Sequence, residues 1–300
     1  MKQPTPRVLC LAFIIALTAC TTGKQASSES ITAAAPNDVA ISISGHTFQA
    51  PDTIDAGWTT VHFANNGDDI HYAHFVRLDS GKTVPELVQA YAEAIRTSGP
   101  RPKWVVRFGG PGGAAPSDSS AVTQNLEPGS YVLICPVEDS AGKPHFGNGE
   151  VKALVVRTAK ADLAGQASAP TATMSIHLND YAFGFDAPPM AGQHMIRVDN
   201  AGQQPHDVVL LKLAPGKTLN DVRMTMNPER ARRPDEKNQP EMSMASLATM
   251  GGGIAVIRPG MEVFFKMNLI PGEYALVCMT TAPDGRSHIE HGMIQQMRIE

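Results

Sequence analysis

Apolar and polar residues alternate along much of this chain in short runs interrupted by Gly, Pro and Asn, the period of half-buried β-strands. In the C-terminal half the alternation predicts strands over 173–178, 194–199, 207–213, 261–269, 273–278 and 293–299. One helical stretch breaks the pattern in the N-terminal half. There Thr83-Val84-Pro85-Glu86 has the form of a capping box, and Leu87, Val88, Tyr91, Ala94 and Ile95 recur at helical spacing. Thr218-x-x-Asp221 opens in the same way, then passes into the charged, proline-containing stretch 227–240, which predicts a mobile loop. Short strands with a single helical insertion predict an all-β sandwich class.

The pattern occurs twice. A shift of 135 positions lays residues 41–88 on 176–223, placing Phe48 on Phe183, Asn65-x-Gly67 on Asn200-x-Gly202, His71 on His206 and Gly81-Lys82-Thr83 on Gly216-Lys217-Thr218. A shift of 143 lays Leu126, Pro128-Gly129, Tyr131, Leu133, Cys135, Gly142, His145 and Gly149 on Leu269, Pro271-Gly272, Tyr274, Leu276, Cys278, Gly285, His288 and Gly292. Turn residues, histidines and a cysteine in the same order twice point to a tandem duplication. The expected layout is a domain at 38–157, a linker at 158–172 and a second domain at 173–300.

Ahead of these lies a different kind of segment. Lys2 and Arg7 precede an apolar run ending in Leu17-Thr18-Ala19-Cys20, too short to span a membrane. Those four residues resemble the bacterial lipobox. The resemblance implies a signal peptide at 1–19, a lipid on Cys20 and a flexible tether at 20–37. It also implies an envelope location facing the periplasm, with Thr21 after the cysteine resembling outer-membrane lipoproteins. Cys10 would leave with the signal, so Cys135 and Cys278 are the cysteines of the folded part, too few for a disulfide-stapled scaffold. The formal charge of −4 becomes −6 when Lys2 and Arg7 are removed, with both signs interspersed, and nothing suggests a nucleic-acid partner.

The chemistry-bearing residues are His206, Cys278, His288 and Met293, in the order and setting used by small blue copper proteins. The C-terminal copy resembles plastocyanin and the wider cupredoxin family, in which a histidine opens one strand, a cysteine closes another, and histidine and methionine follow before the last strand. The resemblance implies tandem cupredoxin-like Greek-key β-sandwiches, each with a helical insertion, and copper held by those four residues in the second. Two imidazoles and a thiolate form a trigonal copper site, tuned by a weak axial thioether. The first copy offers a weaker set: His71, Cys135, His145 and Glu150, the carboxylate standing where Met293 stands in the other. A carboxylate is a harder ligand than a thioether and disfavours Cu(I), so this site is altered or vestigial. His74 and His71, three apart on a strand, face opposite ways unless a bulge intervenes.

The resemblance also carries a departure. Nine residues, 279–287, separate Cys278 from His288, longer than the loop of blue copper sites, and predict a looser site that reorganises more between oxidation states. Of the 14 methionines all but Met1 lie beyond residue 173, and Met224, Met226, Met242 and Met244 are accessory candidates for Cu(I), as is His291 if the loop folds unexpectedly. Nitrite reductases and small laccases place a histidine beside the type 1 cysteine or carry His-x-His pairs. Ile134-Cys135-Pro136 and Val277-Cys278-Met279 supply neither, which sets the enzyme reading aside. Gly109-Gly110-Pro111-Gly112-Gly113 and Gly251-Gly252-Gly253 lack the Lys-Ser/Thr of a phosphate cradle and are expected to be loops. The expected functions are thus copper binding and electron transfer with a redox or copper-transfer partner, copper handling by methionine-rich loops, or a metal-free structural or interaction lipoprotein.

Overall fold

The computed structural model of the chain describes residues 1, 35–97, 99, 101–159, 167–226 and 243–300. The expected signal after Met1, Cys20, nearly all of the expected tether, the middle of the expected linker, the charged stretch and Met242 lie outside them. The description that follows concerns the compact unit Ala33–Glu300.

The N-terminal half comprises β1 (Asn37–Ser44), β2 (Thr47–Gln49), β3 (Thr53–Asp55), β4 (Gly57–Asn65), β5 (His74–Leu78), helix α1 (Val84–Arg96), β6 (Val105–Arg107), β7 (Ser119–Leu126), β8 (Gly129–Ile134), a 3-10 turn at His145–Asn148 and β9 (Val151–Arg157). The C-terminal half comprises β10 (Met174–Asn179), β11 (Ala182–Phe185), β12 (Gly192–Asn200), β13 (His206–Leu213), α2 (Leu219–Thr225), α3 (Met244–Leu247), β14 (Ala248–Ile257), β15 (Glu262–Leu269), β16 (Gly272–Val277) and β17 (Ile294–Ile299). The six predicted strands are present to within two residues. Both capping boxes form, with Thr83 answering Glu86 and Thr218 answering Asp221.

One sheet of eight strands, ordered β11-β10-β12-β15-β7-β4-β1-β2, runs through both halves. A five-stranded sheet, β3-β9-β8-β5-β6, and a four-stranded sheet, β14-β13-β16-β17, complete the all-β sandwich. Strand parity decides what each layer holds. On β8, Tyr131 and Leu133, with Cys135 just beyond the strand, face the main core, while Val132 and Ile134 face a cluster under α1. On β16, Tyr274, Leu276 and then Cys278 face the main core, while Ala275 and Val277 face a cluster under α2 and α3. The cysteines therefore end up between the sheets because they continue the inward register.

The halves join along β7 and β15, where Val263 pairs with Gln124 and Phe264 with Thr123, antiparallel. Extended by one residue, this register sets Val122 opposite Phe265, equivalent positions at the 143-residue shift. The two glycine-rich segments, expected to be loops, complete the junction. Gly251, Gly252 and Gly253 lie within strand β14, and residues 108–114 run buried alongside it. Gly109 N–H donates to Val256 O at 2.9 Å and Ala255 N–H to Gly110 O at 2.9 Å. Gly110 and Gly253 hold positive φ of 126° and 139°, and a Cβ on either would overlap the Ala73 or the Val208 carbonyl oxygen. Glycine at 110 and 253 lets each segment lie close against the backbone of its own half, and between the halves a Cβ on Gly112 would overlap the Gly253 carbonyl oxygen. Across the same junction Arg258 pairs with Glu127 at 2.6 Å, and Glu127 also pairs with Arg77; both guanidinium groups lie over the Phe108 ring.

Candidate metal centres

Each centre begins at a pinned turn. The Asn65 side-chain amide donates to Asp69 O at 2.7 Å and Ala114 O at 2.8 Å, while its carbonyl accepts from Gly67 N–H at 2.9 Å. Asn200 repeats this with Gln204 O at 2.8 Å, Ile257 O at 3.1 Å and Gly202 N–H at 3.0 Å. The turn sets His71 or His206 into the main core. The residue that follows, Tyr72 or Asp207, donates its backbone N–H to the cysteine sulfur of the same half.

The nine-residue excursions between cysteine and histidine are small hairpins, which corrects the expectation of a loose site. Glu138 bridges Pro144 and Thr281 bridges Ser287. His145 N–H donates to Val137 O at 2.7 Å, and His288 N–H to Thr280 O at 2.8 Å. Their tips turn at Gly142 and Gly285, with φ of 74° and 86°. A hairpin satisfies its own backbone, so the extra residues leave the ends tied instead of slack. The residue after each histidine anchors the return: Phe146 packs edge-to-face on Tyr91 of α1 at 5.7 Å, and Ile289 enters the cluster of Val222 and Leu247.

In the N-terminal centre the Cys135 sulfur lies 3.9 Å from His71 Nδ1 and 3.6 Å from His145 Nδ1. Glu150 contributes both oxygens, Oε2 at 3.0 Å from His71 Nδ1 and Oε1 at 3.3 Å from His145 Nδ1. In the C-terminal centre the Cys278 sulfur lies 3.7 Å from His206 Nδ1 and 3.3 Å from His288 Nδ1, and the two nitrogens are 3.0 Å apart. Met293 and Glu150 occupy the same scaffold position. Cys278 N–H donates to Met293 O at 3.2 Å and Met293 N–H to His288 O at 2.8 Å; Cys135, Glu150 and His145 make the same bonds at 3.4 and 3.1 Å. All eight side chains are buried.

A cation bonded at about 2.0–2.3 Å by imidazole and thiolate spaces those donors about 3.3–3.8 Å apart. The observed separations bracket that range, so both donor sets fit one transition-metal ion each. The electrostatics agree for the C-terminal set. Burial lowers the pKa of His206, against the partial support of Asp180, whose carboxylate meets His206 Nε2 at 3.1 Å. Burial, His206 and Arg107 bring His288 down to about 4. Burial raises Cys135 to about 12 and Cys278 well above the ordinary thiol value. Neutral imidazole lone pairs face a thiol that a cation would deprotonate. Both cysteines are free, each within its own centre.

The accessory candidates stand apart from this group. His291 stacks on Tyr181 at 4.3 Å and pairs with Asp284 at 3.0 Å, while Tyr181 meets the His288 ring edge-on at 5.2 Å. Met226 and Met244 pack on the apolar cluster beneath α2 and α3, and Met224 is half-buried on α2. His74 belongs to neither donor group; its Nε2 is enclosed without a partner. One residue escaped the sequence reading. His46, in the β1–β2 turn, places Nδ1 2.6 Å from Glu150 Oε1 and packs edge-on against His145 at 5.8 Å. The 135-residue shift lands His46 on Tyr181, which lies beside His288, so no recurring histidine marks the position in the sequence.

No family model and no curated protein matches the chain. Among solved structures, the chain is similar to auracyanin B at 16% identity, over 44% of this chain and 93% of that one, with a TM-score of 0.27. A dithionite-reduced auracyanin from Roseiflexus castenholzii is 21% identical over 42% of this chain and 100% of that one, TM-score 0.27. A multicopper oxidase is 12% identical over 88% of both chains, TM-score 0.22. With identities and TM-scores this low, these likenesses add nothing to what the strand order and the donor geometry carry.

Proposed function

We propose that the protein is a lipid-anchored, periplasm-facing copper protein, built from two tandem cupredoxin-like sandwiches, that carries electrons through its C-terminal half. The observation that supports it most is the convergence of His206, Cys278 and His288, with Met293 pinned between the cysteine and the last histidine. His206, Cys278, His288 and Met293 would hold the ion, which would supply one-electron chemistry between Cu(II) and Cu(I). Asp180 fixes the His206 ring through Nε2, leaving Nδ1 for the metal. The hairpin of residues 279–287 and the Asn200 turn hold the ligands in place through the redox change. The N-terminal half would hold a second, harder site.

The duplication is supported by the repeated asparagine turns, capping boxes, inward cysteines and hairpins. A carrier, and not an enzyme, is supported by the residues flanking both cysteines, none of which is a histidine. Adding Cu(II) to the purified protein should produce an intense visible thiolate-to-copper band, and copper should survive desalting. No band and no retained copper would defeat the reading.

A further inference from the structure

The donor set around Glu150 contains one member more than its counterpart. The Glu150 carboxylate is wholly buried, with three imidazole nitrogens around it: His46 Nδ1 at 2.6 Å and His145 Nδ1 at 3.3 Å on Oε1, and His71 Nδ1 at 3.0 Å on Oε2. His71 and His145 belong to the group whose ligand atoms all lie within 4.8 Å of one another; His46 does not. A cation in that group takes the Nδ1 lone pairs of His71 and His145, and neither ring can then donate from that nitrogen to the carboxylate. His46 Nδ1–H is the imidazole donor that survives loading. Its ring is 55% exposed, so it reaches the carboxylate from the solvent side, on a turn set by β1 and β2.

The C-terminal half changes both partners together. Tyr181 stands where His46 stands, its hydroxyl accepting from Gln204 at 2.7 Å, and Met293 stands where Glu150 stands. A thioether has no oxygen to be held, and no imidazole is supplied to hold it. The matched exchange of His46 with Glu150 for Tyr181 with Met293 ties the two positions to one task.

We propose that His46 is a positioning residue of the N-terminal centre, holding the Glu150 carboxylate as a metal ligand so that this centre keeps its ion as Cu(II). The inference rests on the copper reading above and deepens it: one centre would exchange electrons while the other retains an oxidised ion. A hard anionic ligand favours the divalent state, and outer partners that orient a ligand are commonly worth 10–100-fold in metal affinity.

The test uses Cys278→Ser protein, in which bound copper reports on the N-terminal centre, and Cys135→Ser protein, in which it reports on the other. Cu(II) is titrated against a competing chelator, and electron paramagnetic resonance is recorded before and after ascorbate. The expected result is a Cu(II) signal in Cys278→Ser protein that persists in ascorbate sufficient to bleach the Cys135→Ser protein. Adding His46→Phe should lower Cu(II) affinity about 10–100-fold and alter the resonance. Adding His46→Asn, whose amide N–H can replace Nδ1–H, should restore most of both. An unchanged affinity and spectrum in His46→Phe would overturn the inference, as would Asn proving as damaging as Phe. Copper in Cys135→Ser protein but none in Cys278→Ser protein would overturn this inference and leave the proposed function standing; copper in neither would defeat that function itself.

Discussion

Burial keeps the Cys278 thiol protonated, so an entering cation must displace a proton from the sulfur. His288, brought down to about 4, is already neutral at pH 5 and offers no competing proton above it. With His206 also held below its ordinary 6.5, copper affinity of the C-terminal centre should rise about tenfold per pH unit between about pH 6.5 and 8, with one proton released per ion. Chelator competition at three pH values reads the slope, and a flat profile would contradict it. His74 makes a different prediction, on stability. Burial, with Arg107 and Arg101 nearby, lowers its pKa from 6.5 to about 3. The unfolded chain thus takes the proton first, and stability falls as pH drops through 6.5 toward 3. Between pH 7 and 5 the wild type should lose about 2 kcal/mol that a His74→Phe variant keeps, measured by urea unfolding. At this scale the donors were legible because His, Cys and His recur in order. His46 was not, because its equivalent is a tyrosine and only the folded turn brings it to Glu150.

Among the elements, strands with one face on the core could be read directly, since alternation records which side is buried. Strand β14 could not: Gly251, Gly252 and Gly253 erase its side-chain pattern, and the close approach of Gly253 to Val208 on the neighbouring strand β13 leaves no mark in the alternation. The hairpins between cysteine and histidine were missed for a related reason. Loop length suggested slack, whereas the pairing of Glu138 with Pro144 and of Thr281 with Ser287 depends on backbone bonds that sequence spacing does not record. Gly253→Ala should cost on the order of 3 kcal/mol or more, because a Cβ at φ 139° meets the Val208 carbonyl. Gly216→Ala, at φ 77° with open space around it, should cost only about 1 kcal/mol. Equal losses in thermal unfolding would contradict the close-approach account.

In the whole molecule, the sequence predicted two domains in tandem, and the structure joins their strands into one sheet. A single apolar cluster includes Ile43 and Phe63 from one half and Ile176 and Leu276 from the other. Unfolding should be a single cooperative transition by calorimetry. Residues 173–300 expressed alone should aggregate, since the β15 edge carrying Val263 and Phe264 loses its partner β7. Two separated transitions, or a soluble folded half, would show that the halves are independent. The account stands or falls on the metal at the C-terminal centre. Copper-edge X-ray absorption on Cys135→Ser protein loaded with one equivalent of copper reads its ligands directly. The account predicts one short copper–sulfur bond and two imidazole nitrogens, the sulfur lost when Cys278→Ser is added; a shell of oxygen and nitrogen alone would contradict it.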